Sequence, residues 1–194
     1  MNFLGHIFLS GEEKEILLGN FIADHVKGKQ QQNYSPGVIK GIQLHRAIDH
    51  YTDHHPIVLQ GVKRLNGDYG RYAVVIIDMY YDHFLSLHWN EYHPEPIIEY
   101  TERKYAELLP SLPIMPARTQ RMLSYMAKDN WLAGYAKIEG LERALSGMSK
   151  RARFESGMES AATFLLTHYE IYRKEFSQFM PDIIKYVADW TDHK

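Results

Sequence analysis

Residues 73–85 form a nearly continuous apolar run that is interrupted by two aspartates and one histidine, Asp78, Asp82 and His83. The run is apolar almost all round, which is typical of a helix that is buried on every side. It is shorter than the roughly 20 residues that a membrane-spanning helix needs, and it carries charges. The sequence therefore predicts a central core helix around which the other elements must pack.

Helical periodicity recurs along the chain, whereas strand-like alternation is scarce. Ser35-Pro36 is a typical helix start, because serine caps a helix and proline suits its first turn. A break is expected near Pro181, because proline removes a backbone hydrogen bond. We predict a single all-α domain over residues 1–194, with about eight helices at roughly 13–27, 36–54, 56–66, 69–89, 95–109, 117–130, 132–146 and 155–191.

The composition narrows the possible functions. The 194 residues carry 22 basic and 24 acidic side chains, and this net charge of −2 argues against a polycation that coats nucleic acid. Cysteine is absent, which excludes disulfides, thiolate metal sites and cysteine nucleophiles. The 11 histidines leave metal binding, proton transfer and packing open. No membrane span or secretory signal is visible, so we expect a cytoplasmic protein that binds neither membranes nor nucleic acid.

Asp78 and Asp82 are four residues apart and therefore share one face of the predicted core helix. Two carboxylates at this spacing repel each other, and burial amplifies the repulsion. A cation between them would resolve the conflict. Arg46 or Arg71 is one candidate for that cation, and a divalent metal is the other. Mixed aspartate and histidine ligands without cysteine favour Mn²⁺, Fe²⁺ or Zn²⁺ over Ca²⁺.

Other polar residues also interrupt apolar segments. On a helical projection, His45 and Asp49 fall on the face that Val38 marks as buried. A hydrogen bond between His45 and Asp49 would explain this pair, and shared ligation of a metal is the alternative. His6 and Asp24 interrupt two further apolar runs, as core polar groups or as additional ligands.

Residues 143–153 contain four basic side chains and no acidic one. Within this strip, Lys150, Arg151 and Arg153 stand close together. A solvated surface run is one explanation, and a docking site for an acidic partner or a phosphate is the other.

Several short motifs occur in a fixed order along the chain. They are 2–6 (NFLGH), 18–24 (LGNFIAD), 41–49 (GIQLHRAID), 52–56 (TDHHP), 78–85 (DMYYDHFL), 130–132 (NWL) and 148–151 (MSKR). In this order and spacing they resemble the acyl carrier protein phosphodiesterase family over nearly the whole chain.

The resemblance implies an activity and a site. The family hydrolyses the phosphodiester between 4′-phosphopantetheine and a serine of holo-acyl carrier protein, which suggests a place in fatty acid biosynthesis. It implies an HD-domain-like helical fold and a divalent metal, with Mn²⁺ favoured and Mg²⁺, Fe²⁺ or Zn²⁺ as alternatives. The site residues it implies are His6, Asp24, His45, Asp49, Asp78, Asp82 and His83.

Within that set we expect the metal ligands to be His6, Asp24, His45, Asp49, Asp78 and Asp82. A histidine that does not bind the metal, His83 or His45, is expected to protonate the leaving serine oxygen. Arg46 is expected to hold the phosphate, and the basic strip is expected to dock the acidic carrier protein. No His-Asp doublet occurs in that order, so the HD relationship does not assign the ligands individually. A metal phosphohydrolase of nucleotides or small phosphodiesters and a non-catalytic helical binding protein are the alternative functions.

Overall fold

The computed structural model describes residues 1–192, and every regular element within them is helical. Short 3-10 turns join eleven α-helices, so the predicted all-α class is confirmed. The helices are α1 (Phe3–Leu9), α2 (Lys14–Ile22), α3 (Pro36–His54), α4 (Pro56–Tyr69), α5 (Ala73–Leu87), α6 (Ile97–Leu108), α7 (Ala117–Lys128), α8 (Trp131–Gly134), α9 (Ile138–Ser149), α10 (Ala161–Thr167) and α11 (Tyr169–Asp192).

Helix α5 lies at the centre of the hydrophobic core, as its apolar sequence predicts. Eleven of its fifteen residues are buried, and it packs against α1, α4, α9 and α11. Burying its large side chains stabilises the fold by about 1.5–3 kcal/mol each. The polar residues of α5 must therefore find partners inside the protein.

Among the helices of residues 1–192, α2 and α3 share the most extensive contact, and two glycines make their close approach possible. A Cβ atom on Gly19 would clash with the carbonyl oxygen of Val38, and one on Gly41 would clash with that of Ile16. Because glycine has no Cβ atom, the two backbones can come into direct contact at this crossing. The crossing places Asn20, next to Gly19, beside His45 of α3.

Residues 1–192 form eleven helices where about eight were predicted, and the structure corrects the predicted pattern at four points. The predicted helices 132–146 and 155–191 are each divided into two, as α8 with α9 and as α10 with α11. Residues 3–9 form α1, which the helical periodicity did not predict. The expected break at Pro181 is wrong, since α11 continues through this proline. Phe179, Met180 and Ile183 are fully buried on either side of it. Their packing outweighs the loss of about 3 kcal/mol that a proline costs within a helix.

None of the helices within residues 1–192 combines the length and the apolar character that crossing a lipid bilayer would require.

Candidate metal centre

Four predicted site residues from three segments meet at one point. His6 comes from α1, Asp24 from the 3-10 turn that follows α2, and His45 and Asp49 from α3. His6, His45 and Asp49 each offer one ligand atom, and these atoms lie within 4.8 Å of one another. Asp24 joins them through His45. The fold thus brings together residues that are up to 43 positions apart (49 − 6).

The two histidines direct the same ring nitrogen towards the carboxylates. The His6 Nε2 atom lies 3.0 Å from Asp49 Oδ1, and the His45 Nε2 atom lies 3.1 Å from Asp49 Oδ2. The second His45 contact is to Asp24 Oδ1 at 3.2 Å. His45 and Asp49 are therefore in contact, as the helical spacing allowed, and Asp49 also bridges to α1 through His6.

Asn20 orients both imidazole rings, and the sequence analysis missed it. Its Oδ1 atom lies 2.8 Å from the Nδ1 atom of His6 and 3.0 Å from that of His45. Because an amide oxygen only accepts, both Nδ1 atoms must carry the proton. Asn20 is itself fixed, since its Nδ2 atom donates to the His6 carbonyl and to Ser10 Oγ. A buried asparagine inside the apolar run of α2 was the available signal.

The arrangement gives the cluster a net negative charge. The imidazole rings of His6 and His45 stack with centroids 4.0 Å apart, so two imidazolium ions would repel each other. Burial and the neighbouring His45 lower the pKa of His6. Burial opposes protonation of His45 as well, but the carboxylates of Asp24 and Asp49 raise its pKa to about 9. Two carboxylates thus face at most one imidazolium. The negative charge that remains on the cluster attracts a further cation.

The cluster lies in a cleft of about 770 Å³. Asp24 and Asp49 reach solvent there, with side-chain exposures of 60% and 42%, while both histidines are buried. The cleft also contains side chains that lie far along the chain, among them Arg118, Arg121, Met122, Tyr125, Trp131, Met148 and Arg151. The carboxylates are therefore accessible to a ligand that enters the cleft.

Comparison with known proteins agrees with the motif resemblance. The family model described as acyl carrier protein phosphodiesterase matches residues 1–183. The chain belongs to the acyl carrier protein phosphodiesterase family. A relative of that name from Yersinia enterocolitica is 33% identical over 190 residues, which cover 97% of this chain and 98% of the relative. No solved structure matches the chain.

Two further members of the acyl carrier protein phosphodiesterase family match over similar lengths. The Photorhabdus laumondii protein is 33% identical over 93% of this chain and 92% of its own length. An Escherichia coli protein is 31% identical over 95% of this chain and 96% of its own length. The similarity therefore covers the cluster, the cleft and the helices that carry them.

The family resemblance also pointed to Asp78, for which the structure supplies an unexpected cation. The N-terminal ammonium of Met1 donates to Asp78 Oδ1 at 2.6 Å. Neither candidate arginine fills this role. Arg46 donates to Gln31, and Arg71 stacks over an exposed phenylalanine. Asp78 lines the cleft but forms an ion pair with the chain terminus.

Asp82 contacts the backbone at the start of α1. Its Oδ2 atom accepts from the Leu4 N–H at 2.7 Å, and its Oδ1 atom accepts from the N–H groups of Asn2 and Gly5 at 3.1 Å. These donors would otherwise have no partner at the helix N-terminus. Asp82 is fully buried and is not among the residues that line the cleft. It holds in place the helix that carries His6.

His83 lies apart from the cluster in its own buried environment. Its Nδ1 atom donates to the Tyr135 carbonyl at 2.7 Å, and its Nε2 atom accepts from the Tyr169 hydroxyl at 3.1 Å. Burial lowers the pKa of His83. Both ring nitrogens are therefore occupied by protein groups, and the residue does not line the cleft.

The predicted phosphate and docking residues occupy different places. The exposed Arg46 donates to Gln31 Oε1 at 2.9 Å and does not line the cleft. Of the basic side chains of the strip, Arg151 alone lines the cleft, while Lys150 and Arg153 are exposed outside it. The strip therefore borders the opening that leads to the cluster.

Proposed function

We propose that this chain hydrolyses the phosphodiester that joins 4′-phosphopantetheine to a serine of holo-acyl carrier protein. The products would be apo-acyl carrier protein and 4′-phosphopantetheine. The observation that carries the proposal is the convergence of two imidazole Nε2 atoms and two carboxylates in an open cleft. Relatives across nearly the full length are named acyl carrier protein phosphodiesterase, which favours this substrate over nucleotides.

The donor set of the cluster suits a divalent metal. With metal–ligand bonds of about 2.1 Å at right angles, neighbouring ligand atoms are about 3 Å apart. The contacts from Nε2 to the carboxylate oxygens of Asp24 and Asp49 are 3.0–3.2 Å. Mixed nitrogen and oxygen donors without thiolate favour Mn²⁺, Fe²⁺ or Zn²⁺ over Ca²⁺. The family resemblance favours Mn²⁺ among these, with Mg²⁺ as a further alternative. We assign His6, His45, Asp49 and Asp24 as the residues that would hold it.

Such an ion would supply an activated water and would neutralise charge on the phosphoryl oxygens. The residues of the chain prepare the site for this chemistry. Asn20 keeps a proton on each Nδ1 atom, so the Nε2 atom of each ring is the one left to bind the ion, once His45 has released the proton that its carboxylate partners stabilise there. Asp82 fixes α1 and thereby the position of His6. Hydrolysis adds the hydroxyl of water to phosphorus and a proton to the departing serine oxygen.

A mass measurement tests the activity. Holo-acyl carrier protein is incubated with the purified protein and Mn²⁺, with and without a chelator, and the products are weighed. We expect loss of the phosphopantetheine mass with Mn²⁺ alone. The His45→Gln variant should lose this activity and its bound metal, because a ligand is removed. His54→Gln is the matched control, since His54 lies on the same helix and is exposed.

Two results would contradict the proposal. Cleavage that persists in chelator, or in His45→Gln at the rate of the control, would show that the cluster is not the catalytic centre. Turnover of nucleotides but not of holo-carrier protein would show a different substrate. A purified protein that contains no metal and gains no thermal stability on adding Mn²⁺ would favour a non-catalytic role.

Docking of the acidic carrier protein is tested separately at the basic strip. The double variant Lys150→Glu, Arg153→Glu leaves Arg151 of the cleft unchanged. It should raise KM for holo-carrier protein and leave kcat nearly intact, because only binding common to ground and transition state is lost. The salt dependence of kcat/KM should also weaken. An unchanged KM would mean that the strip is a solvated surface.

A further inference from the structure

One face of α7 forms part of the wall of the cleft that holds the cluster. Arg118, Arg121, Met122 and Tyr125 all line the cleft. Their spacing of three, four and seven residues from Arg118 places them on a single side of the helix. The face therefore presents two cations at its start and two apolar side chains further along.

A side-chain contact fixes the start of α7 beside the cluster. The Nδ1 atom of His25 lies 2.8 Å from Thr119 Oγ1, and His25 directly follows Asp24. Arg118 thus lies at the end of the cleft where the carboxylates are, and Tyr125 lies two helical turns further along.

The arginines of this face carry charge that no carboxylate neutralises. Helix α7 contains no acidic residue. Among the ion pairs formed by residues 1–192, none includes Arg118 or Arg121, whereas Arg64 and Arg103 each bind a carboxylate. Both α7 arginines are exposed. Unpaired guanidinium groups beside a metal-binding cluster suit the oxygens of a phosphate, which arginine binds in bidentate geometry.

The apolar part of the face continues into an apolar wall. Tyr125 is 62% exposed although it is aromatic, and Val74 and Val75 of α5 are each 36% exposed. Met122, Trp131 and Met148 line the same cleft. Exposed apolar side chains that lie together in a cleft are typical of a ligand-binding surface. The volume of about 770 Å³ lies in the range of pockets that enclose a small-molecule ligand.

We propose that this face of α7 recognises the substrate's prosthetic group, with Arg118 and Arg121 binding the phosphate oxygens and Met122 and Tyr125 contacting the uncharged arm. The inference rests on the proposed function and names the groups that select its substrate. It replaces Arg46 as the phosphate-binding residue. The substrate carries a phosphodiester followed by an extended, largely uncharged arm. The face presents its groups in the same sequence, with two arginines followed by two largely apolar side chains.

Binding to the metal-free protein tests the inference without relying on turnover. The probes are 4′-phosphopantetheine and pantetheine, which lacks the phosphate, and affinity is measured by calorimetry in chelator. The double variant Arg118→Gln, Arg121→Gln should weaken binding of 4′-phosphopantetheine by about 10–100-fold, because charge-assisted hydrogen bonds are lost. Pantetheine binding should not change. Lys63→Gln, Lys128→Gln is the matched control, since it removes two exposed charges that do not line the cleft.

Tyr125 tests the arm separately. Tyr125→Ala should weaken binding of both probes, and Tyr125→Phe should restore it, because the contact needs the ring and not the hydroxyl. The inference is overturned if the double arginine variant binds 4′-phosphopantetheine as tightly as the control variant. It is also overturned if wild-type protein binds neither probe.

Kinetics with holo-carrier protein separates the two proposals. Phosphate binding by the arginines predicts that the double variant lowers kcat/KM by about the factor by which it weakens 4′-phosphopantetheine binding. An unchanged kcat/KM therefore counts against the inference. If wild-type protein binds 4′-phosphopantetheine through the arginines but does not cleave holo-carrier protein, the proposed function fails and the phosphate site stands. If it cleaves but the arginines are dispensable, only the further inference fails.

Discussion

Replacing Asp82 with alanine distinguishes a ligand of the metal from an anchor of α1. The family resemblance implies that Asp82 is a metal ligand, and a residue that served only as a ligand could be removed from the metal-free protein without loss of stability. The structure instead shows both carboxylate oxygens bound to backbone N–H groups of residues 2–5. Removal should therefore destabilise the protein whether or not metal is present.

The size of the effect follows from the donors that lose their partner. The Leu4 and Gly5 N–H groups are buried with Asp82, and each buried donor left unpaired costs about 1–3 kcal/mol. The sum is about 2–6 kcal/mol. It is reduced because the variant no longer incurs the cost of burying a carboxylate, a cost that also raises the pKa of Asp82 to about 7. We expect a net loss of about 2–4 kcal/mol, which lowers Tm by about 5–15 °C for a chain of this size.

Thermal unfolding in chelator is the assay, with circular dichroism as a check that the variant remains helical. Asp53→Ala is the matched control, because Asp53 is an exposed carboxylate that lines the same cleft. Its Tm should stay within about 2 °C of the wild type. The anchoring role is refuted if metal-free Asp82→Ala unfolds at the wild-type temperature and has lost only the stabilisation that Mn²⁺ provides.

Three further substitutions test other parts of the structure. Asn20→Ala should weaken Mn²⁺ binding by about 10–100-fold in a metal titration, because both imidazole rings lose their orienting partner, and unchanged affinity would contradict this. His83→Gln should lower Tm but keep at least half of the wild-type kcat. Burial lowers the pKa of His83 in the folded state, so the stability that neutral His83 contributes is complete above pH 6.5 and is lost as pH falls below that value. The variant should therefore lose this sensitivity of its stability to acid. A collapse of kcat at unchanged Tm would instead indicate that His83 acts in catalysis. Gly19→Ala should cost at least about 2 kcal/mol in denaturant unfolding, because its Cβ meets backbone at the helix crossing, whereas the control Gly67→Ala, with open space around it, should gain up to about 1 kcal/mol.

The sequence by itself determined the helical class and the local geometry of individual helices. Apolar residues at helical spacing identified α5 as the core helix, and its burial confirms this. The same periodicity placed His45 and Asp49 on one face of α3, where the structure finds them in contact. Such relations are predictable because positions within one helix are related by a fixed rotation and rise.

Only the tertiary structure decided which partner each buried polar residue meets. Asp78 and Asp82 share a face of α5, but one binds the N-terminal ammonium and the other the first turn of α1. His83 turns to Tyr135 and Tyr169 instead of the cluster. A buried polar group must be paired, and this requirement follows from sequence. The identity of the partner depends on which helices pack together, and the spacing within one helix does not contain that information.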